Sequence, residues 1–116
     1  MSSVNIKMKG DKSKEIKQLA GILKGEINAE LVCDSRRSLD DVSVILLSFE
    51  KYYMRNGGYA SLTVMLVESE DAQTADIIGS GGGEGIFNIS WGANSEFAEM
   101  AERVLYRYGF SNEKNI

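Results

Sequence analysis

The sequence predicts a two-layer α+β domain of order β-α-β4(5)-α, an antiparallel sheet with two helices packed on one face. Three observations carry this. Several segments alternate apolar and polar residues with the period of a half-buried strand, and two others repeat apolar residues at helical spacing. The connections between the later strands are too short for crossovers, so those strands are antiparallel neighbours.

Val4, Ile6 and Met8 alternate with Asn5, Lys7 and Lys9, giving a first strand that Gly10-Asp11 breaks. Asp11 or Ser13 can cap a helix over 12–25, with Ile16, Leu19, Ala20, Leu23 and Ile27 on its apolar stripe and Gly25 as its stop. Ala29, Leu31 and Cys33 then share one side of a second strand, which makes Cys33 a small buried hydrophobe. The polar stretch 36–40 reads as a turn. Residues 41–55 form a long strand rich in Val, Ile, Leu, Phe and Tyr.

Asn56-Gly57 is the strongest hairpin signal, because both residues tolerate positive φ. A two-residue turn there sets Leu62 opposite Lys51 and puts Lys51 on the face of Ala60, Leu62, Val64 and Leu66; a three-residue turn puts Glu50 and Tyr52 there instead. Residues 59–68 and 73–79 supply two more strands. The piece 86–91 is a last short strand or an extended loop. Asn94 or Ser95 caps the final helix, whose stripe is Phe97, Met100, Ala101, Val104, Leu105 and Tyr108 and whose stop is Gly109. Residues 1–2 and 111–116 are expected to fray, and 1–116 to form one domain. The layout is like the TATA-binding-protein-like and helix-grip arrangements, in which a sheet holds a long C-terminal helix across its concave face.

Composition excludes several function classes. Lys plus Arg number 13 against 17 Asp plus Glu, a net charge of -4, which disfavours a nucleic-acid binder. There is no His, so triads with a His base and His-ligated zinc are excluded; one Cys excludes an internal disulfide and a Cys-cluster metal site. No cofactor is expected. The N-terminus lacks the apolar region of a signal peptide, and the longest apolar run, Val44 to Leu47, is far short of a membrane span, so a cytoplasmic protein is expected. Residues 1–25 carry six lysines against Asp11 and Glu15, a helix face read as solvated.

Three segments carry a family resemblance: Glu50-Lys51-Tyr52-Tyr53-Met54-Arg55-Asn56, Gly79-Ser80-Gly81-Gly82-Gly83-Glu84-Gly85 and Phe87-Asn88-Ile89-Ser90-Trp91-Gly92-Ala93. In order and spacing they resemble a small bacterial family, a domain of unknown function. The resemblance spans nearly the whole chain and implies a bacterial cytosolic setting, with no activity or catalytic residues to carry over.

The glycine-rich segment fits neither phosphate fingerprint. It has no Lys for a P-loop, and Glu84 stands where a dinucleotide loop has its third glycine. Gly81, Gly82 and Gly83 can instead bring backbone close to a ligand, or simply mark a bulged crossing. Trp91 is a stacking platform or, more ordinarily, a core plug.

The leading functional reading is a non-enzymatic binding module. It would hold a partly apolar small molecule or peptide between the sheet and the C-terminal helix, walled by Glu50 or Lys51, Tyr52 or Tyr53, Trp91, Phe97 and Met100. The alternative is a pocketless interaction domain, such as a homodimer joined through a sheet edge or the half-polar sheet face of Ser61, Thr63 and Met65. A hydrolase or transferase using Glu84, Asp76 or Glu50 as a base is the third reading, and no carboxylate pair supports it.

Overall fold

A computed structural model of the chain describes residues 2–53, 58–81 and 89–113, with side chains for 3–52, 58–81 and 96–113. The elements are β1 (Ser2–Lys9), α1 (Ile16–Glu26), β2 (Glu30–Leu39), β3 (Val42–Tyr53), β4 (Gly58–Glu68), β5 (Gln73–Gly81), α2 (Ile89–Tyr106) and β6 (Ser111–Asn112). They build one six-stranded sheet of order β2-β3-β4-β5-β1-β6 in which every pairing is antiparallel. The fold is therefore α+β, with the meander β2 to β5 extended by β1.

Cross-strand partners point their side chains to the same side. One face thus carries the rows Arg36–Ile45–Leu66–Ala75–Met8, Asp34–Leu47–Val64–Ile77–Ile6 and Phe49–Leu62–Gly79–Val4. Ile45, Leu47, Phe49, Leu62, Val64, Leu66, Ala75, Ile77 and Met8 are buried, and they pack with Leu19 and Leu23 of α1 and with Phe97, Ala101 and Leu105 of α2 in a single core. Both helices lie on this face: α2 rests on β4, β5 and β1, and α1 on β3, β4 and the flank of α2.

Several boundaries differ from the sequence expectation, each for a physical reason. Residues 36–39 continue β2, and the turn is the pair Asp40-Asp41, with Asp40 at φ 52. Nothing in the polar run signals a strand, because almost all of β2 is exposed along a sheet edge. A bulge between Leu31 and Cys33 reverses the alternation, so Cys33 pairs with Ser48 on the face away from the helices and is only partly buried. At the β3–β4 hairpin the pairs are Tyr53 with Gly58, Lys51 with Ala60 and Phe49 with Leu62, which is neither expected register. Lys51 nonetheless shares the face of Ala60 and Leu62, and Glu50, opposite Ser61, lies on the other. Asn56-Gly57 lies outside the described residues.

Strand β5 runs on through Gly79 and Ser80 to Gly81, paired on both sides, so the glycine-rich segment begins as sheet. Helix α2 starts by Ile89 rather than at Asn94 or Ser95, so Ile89–Trp91 belong to it and not to a strand or extended loop. It ends as expected at Gly109, at φ 90, where the Phe110 N–H donates to the Leu105 carbonyl at 3.2 Å. The segment 111–113, expected to fray, is held: β6 pairs with Met8 and Lys9, the Glu113 N–H donates to the Lys7 carbonyl, and Asn112 is hydrogen-bonded to Tyr106 and Glu102.

Helix α1 starts later than expected because the loop before it is captured from outside. Asp11 accepts from Ser13 instead of capping, and Lys12 takes φ 64. The completely buried Gln73 accepts the Lys12 N–H at 3.2 Å and donates to the Lys14 carbonyl at 2.7 Å. Glu68 accepts the first helical N–H, that of Ile16, at 2.8 Å, and Gln18 accepts that of Glu15 at 3.1 Å. A Cβ on Gly10 would strike the Gln73 amide and the Phe110 ring.

Replacing Gln73 by Leu keeps the volume but orphans the Lys12 N–H and the Lys14 carbonyl. Urea denaturation is expected to show a loss of about 1–2 kcal/mol, the penalty for two part-buried backbone groups left without a protein partner. Unchanged stability would mean the loop is held by other contacts.

Candidate functional site

The sheet has a second face that neither helix covers. It carries the rows Arg37–Val44–Val67–Thr74–Lys9, Ser35–Leu46–Met65–Asp76–Lys7, Cys33–Ser48–Thr63–Ile78–Asn5 and Glu50–Ser61–Ser80–Ser3, and then the pair Tyr52–Tyr59. Its middle is apolar. Val44 pairs with Val67, Leu46 with Met65, and Ile78, 40% exposed, stands on the next strand. Tyr52 and Tyr59 are half or more exposed and stack edge to face, ring centres 5.1 Å apart.

Two pairs of polar groups on this face are matched to one another. Lys7 bridges Asp76 at 2.9 Å, which holds the Lys7 ammonium protonated above its ordinary range, and the Ser61 and Ser80 hydroxyls meet at 2.7 Å. Glu50 marks the tyrosine end as acidic, while Arg37 and Lys9 mark the opposite end as basic.

The sequence-predicted site residues divide between the two faces. Glu50 and Tyr52 lie on the open face. Lys51, half-buried, and Gly81 lie on the helix side beside Ala60. Phe97 is completely buried as part of the core, and Met100 packs partly buried against it. Tyr53 ends β3 and Trp91 sits in the first turn of α2, but their side chains lie outside the described residues, as do Gly82, Gly83 and Glu84 altogether. The open face thus joins Glu50 and Tyr52 to residues that sequence reasoning passed over, above all Leu46 and Ile78. The signal was present: four consecutive apolar residues, Val44 to Leu47, make both faces of one strand apolar.

A cleft of about 610 Å³ lies elsewhere, between the start of α1, the β2–β3 hairpin and the β4–β5 turn. Its lining balances basic Lys17 and Arg37 against acidic Asp41 and Glu70, so it selects no sign of charge. Two further charged groups there serve the fold: Lys12 donates to the Ser69 and Glu70 carbonyls, and Glu68 holds the start of α1. Among the described residues no group of three acidic or Cys side chains is placed to hold a metal.

The carboxyl groups that depart clearly from ordinary behaviour do so downward. Hydrogen bonds from the Ser13 hydroxyl and N–H lower Asp11, and hydrogen bonds from Arg36 and Lys24 hold Asp34 at about 2. Both are therefore firmly ionised at neutral pH, the opposite of what a general acid needs. Asp34 lies 2.8 Å from Lys24 of α1 and 2.9 Å from Arg36, and so links the edge strand to the helix. Because its pKa is lower folded than unfolded, the stabilisation is present above the unfolded value near ~3.9 and is lost as pH falls through about 2. Asp34→Asn is expected to lower the thermal midpoint at neutral pH and to leave it unchanged at pH values below that window. An equal loss in strong acid would show that packing, not charge, is at stake.

No described helix is long and apolar enough to cross a membrane. No curated protein and no solved structure matches the chain. The sequence profile described as "Family of unknown function (DUF6054)" matches residues 1–109, nearly all of the chain whose fold is set out above, and the chain belongs to that family.

Proposed function

We propose that this chain is a non-enzymatic interaction module, acting in a bacterial cytosol, whose working surface is the open sheet face and whose partner presents an amphipathic helix. The observation that carries this is the placement of both helices on one side of the sheet, which among the described residues leaves Val44, Leu46, Met65, Val67 and Ile78 together with no helix over them. A sheet face turned to water is ordinarily polar, and a contiguous apolar centre marks a contact surface.

Dimensions and charge favour a helix. From Val44 to Tyr52 the strand rise gives about 26 Å, the length of a helix of roughly 17 residues. The opposite face of the neighbouring strands β4 and β5 already takes α2. The acidic end at Glu50 suits the positive N-terminus of such a helix, and the basic end at Arg37 and Lys9 suits its C-terminus. Tyr52 and Tyr59 supply large amphipathic contacts at the acidic end. Of the residues expected to wall a site, Glu50 and Tyr52 belong to this surface.

The test is a photo-crosslinking amino acid placed at Met65 in cells of the source organism, with Lys17 of α1 as the control position. Position 65 is expected to give discrete protein adducts that position 17 does not, and Leu46→Lys and Ile78→Lys are each expected to reduce them about tenfold, a loss of about 1.4 kcal/mol. Both variants should melt within about 5 °C of the parent, since the altered side chains already meet water. Identical adducts from both positions, or adducts that survive both substitutions, would refute the proposal.

A further inference from the structure

Among the described residues the outer edge of β2 is also unpaired. It is ten residues long and exposed over nearly its whole length, and Leu31, Val32 and Leu39 on it are 40–61% exposed. The far edge differs: β6 covers part of β1, and the Lys7 carbonyl there is already taken by the Glu113 N–H. A long open edge is a template for another strand, and proteins usually blunt it with charges and bulges. Strand β2 carries Asp34, Arg36 and Arg37 and a bulge at its start, so the question is what those charges exclude and what they admit.

Their order admits a second copy of the same strand. A two-fold axis normal to the sheet pairs β2 antiparallel with its copy and brings side chains of the same face together, so it must lie midway between one residue and that residue's own copy. Two positions use the strand most fully. An axis at Asp34 sets that carboxylate against its own copy. An axis at Ser35 sets Asp34 opposite Arg36 of the second copy and, by symmetry, Arg36 opposite the second Asp34, on the helix side where the two residues already bond at 2.9 Å. The axis at Ser35 replaces a like-charge contact with a closed ring of four alternating charges. Exposed pairs add little affinity, but they choose among registers.

We propose that the chain forms a homodimer through β2–β2 pairing about a two-fold axis at Ser35. The two sheets then join into one of twelve strands. The axis is normal to the sheet, so both open faces lie on the same side and form one continuous surface. The proposal stands apart from what docks on that surface, since the seam is made by the β2 backbone with Asp34 and Arg36 of the helix side, and the docking surface by side chains of the open face.

Ser35 points to the open face, opposite Leu46, where an oxidant can reach it. In a Cys33→Ser background, Ser35→Cys brings two thiols together across the axis at a separation that suits a disulfide, whereas Ser38→Cys leaves them about 20 Å apart, six residues out of step. Mild oxidation followed by non-reducing electrophoresis is expected to give at least about tenfold more dimer from Ser35→Cys than from Ser38→Cys. Adding Arg36→Asp should remove that band, and the exchanged variant Asp34→Arg/Arg36→Asp should restore it. Circular dichroism melts confirm that each variant is folded. Sedimentation equilibrium of the unmodified chain should show concentration-dependent dimer. Equal crosslinking at both positions, a band indifferent to Arg36→Asp, or a folded Ser35→Cys protein that stays monomeric would each overturn the proposal.

Discussion

A glutamine with no exposure to solvent ties the N-terminal loop to the far turn of the sheet. Gln73 opens β5, and through its amide and backbone it receives or supplies hydrogen bonds to Gly10, Lys12 and Lys14. A buried amide is costly unless its donors and acceptor are used, so this arrangement holds in one geometry. That geometry decides where α1 begins, and α1 closes the core over β3 and β4. Gly10 and Gly109 are both needed for the close approach: a Cβ on the first meets Gln73, and one on the second meets Asp11.

The other consequence is asymmetry. Two helices are enough to shield one side of a six-stranded sheet, and both are committed to the same side. Leu47, Val64 and Ile77 disappear beneath them, while Leu46, Met65 and Ile78, one residue away along the same strands, do not. An apolar residue on that side lies outside the helix-covered core, and three neighbouring strands each carry one. Around them stand the polar pairs Ser61 with Ser80 and Lys7 with Asp76.

The edge of β2 and the sheet face that neither helix covers are geometrically complementary. A strand edge offers directional backbone groups and sets a register, whereas a sheet face offers area and little direction. Joining two copies edge to edge leaves both faces on one side, and a partner with two suitable segments then gains from their proximity without any new contact.

Much of this was legible in the residues. Period-two alternation named β1 and β4, helical spacing named both apolar stripes, and Gly109 named the end of α2, because each of those signals is local. The antiparallel meander followed from connection lengths. Strand β2 beyond Asp34, the reversal at its bulge and the late start of α1 did not follow. An exposed edge strand has no buried side to impose a period, a bulge changes parity through one residue without a compositional mark, and the loop before α1 is shaped by Glu68 and Gln73 from more than fifty positions away. Local pattern determined which segments are strands and helices and which side of most of them is apolar. Only the tertiary structure decided that both helices share one face, which brings Leu46, Met65 and Ile78 together in the open, because that choice is made by packing between distant segments.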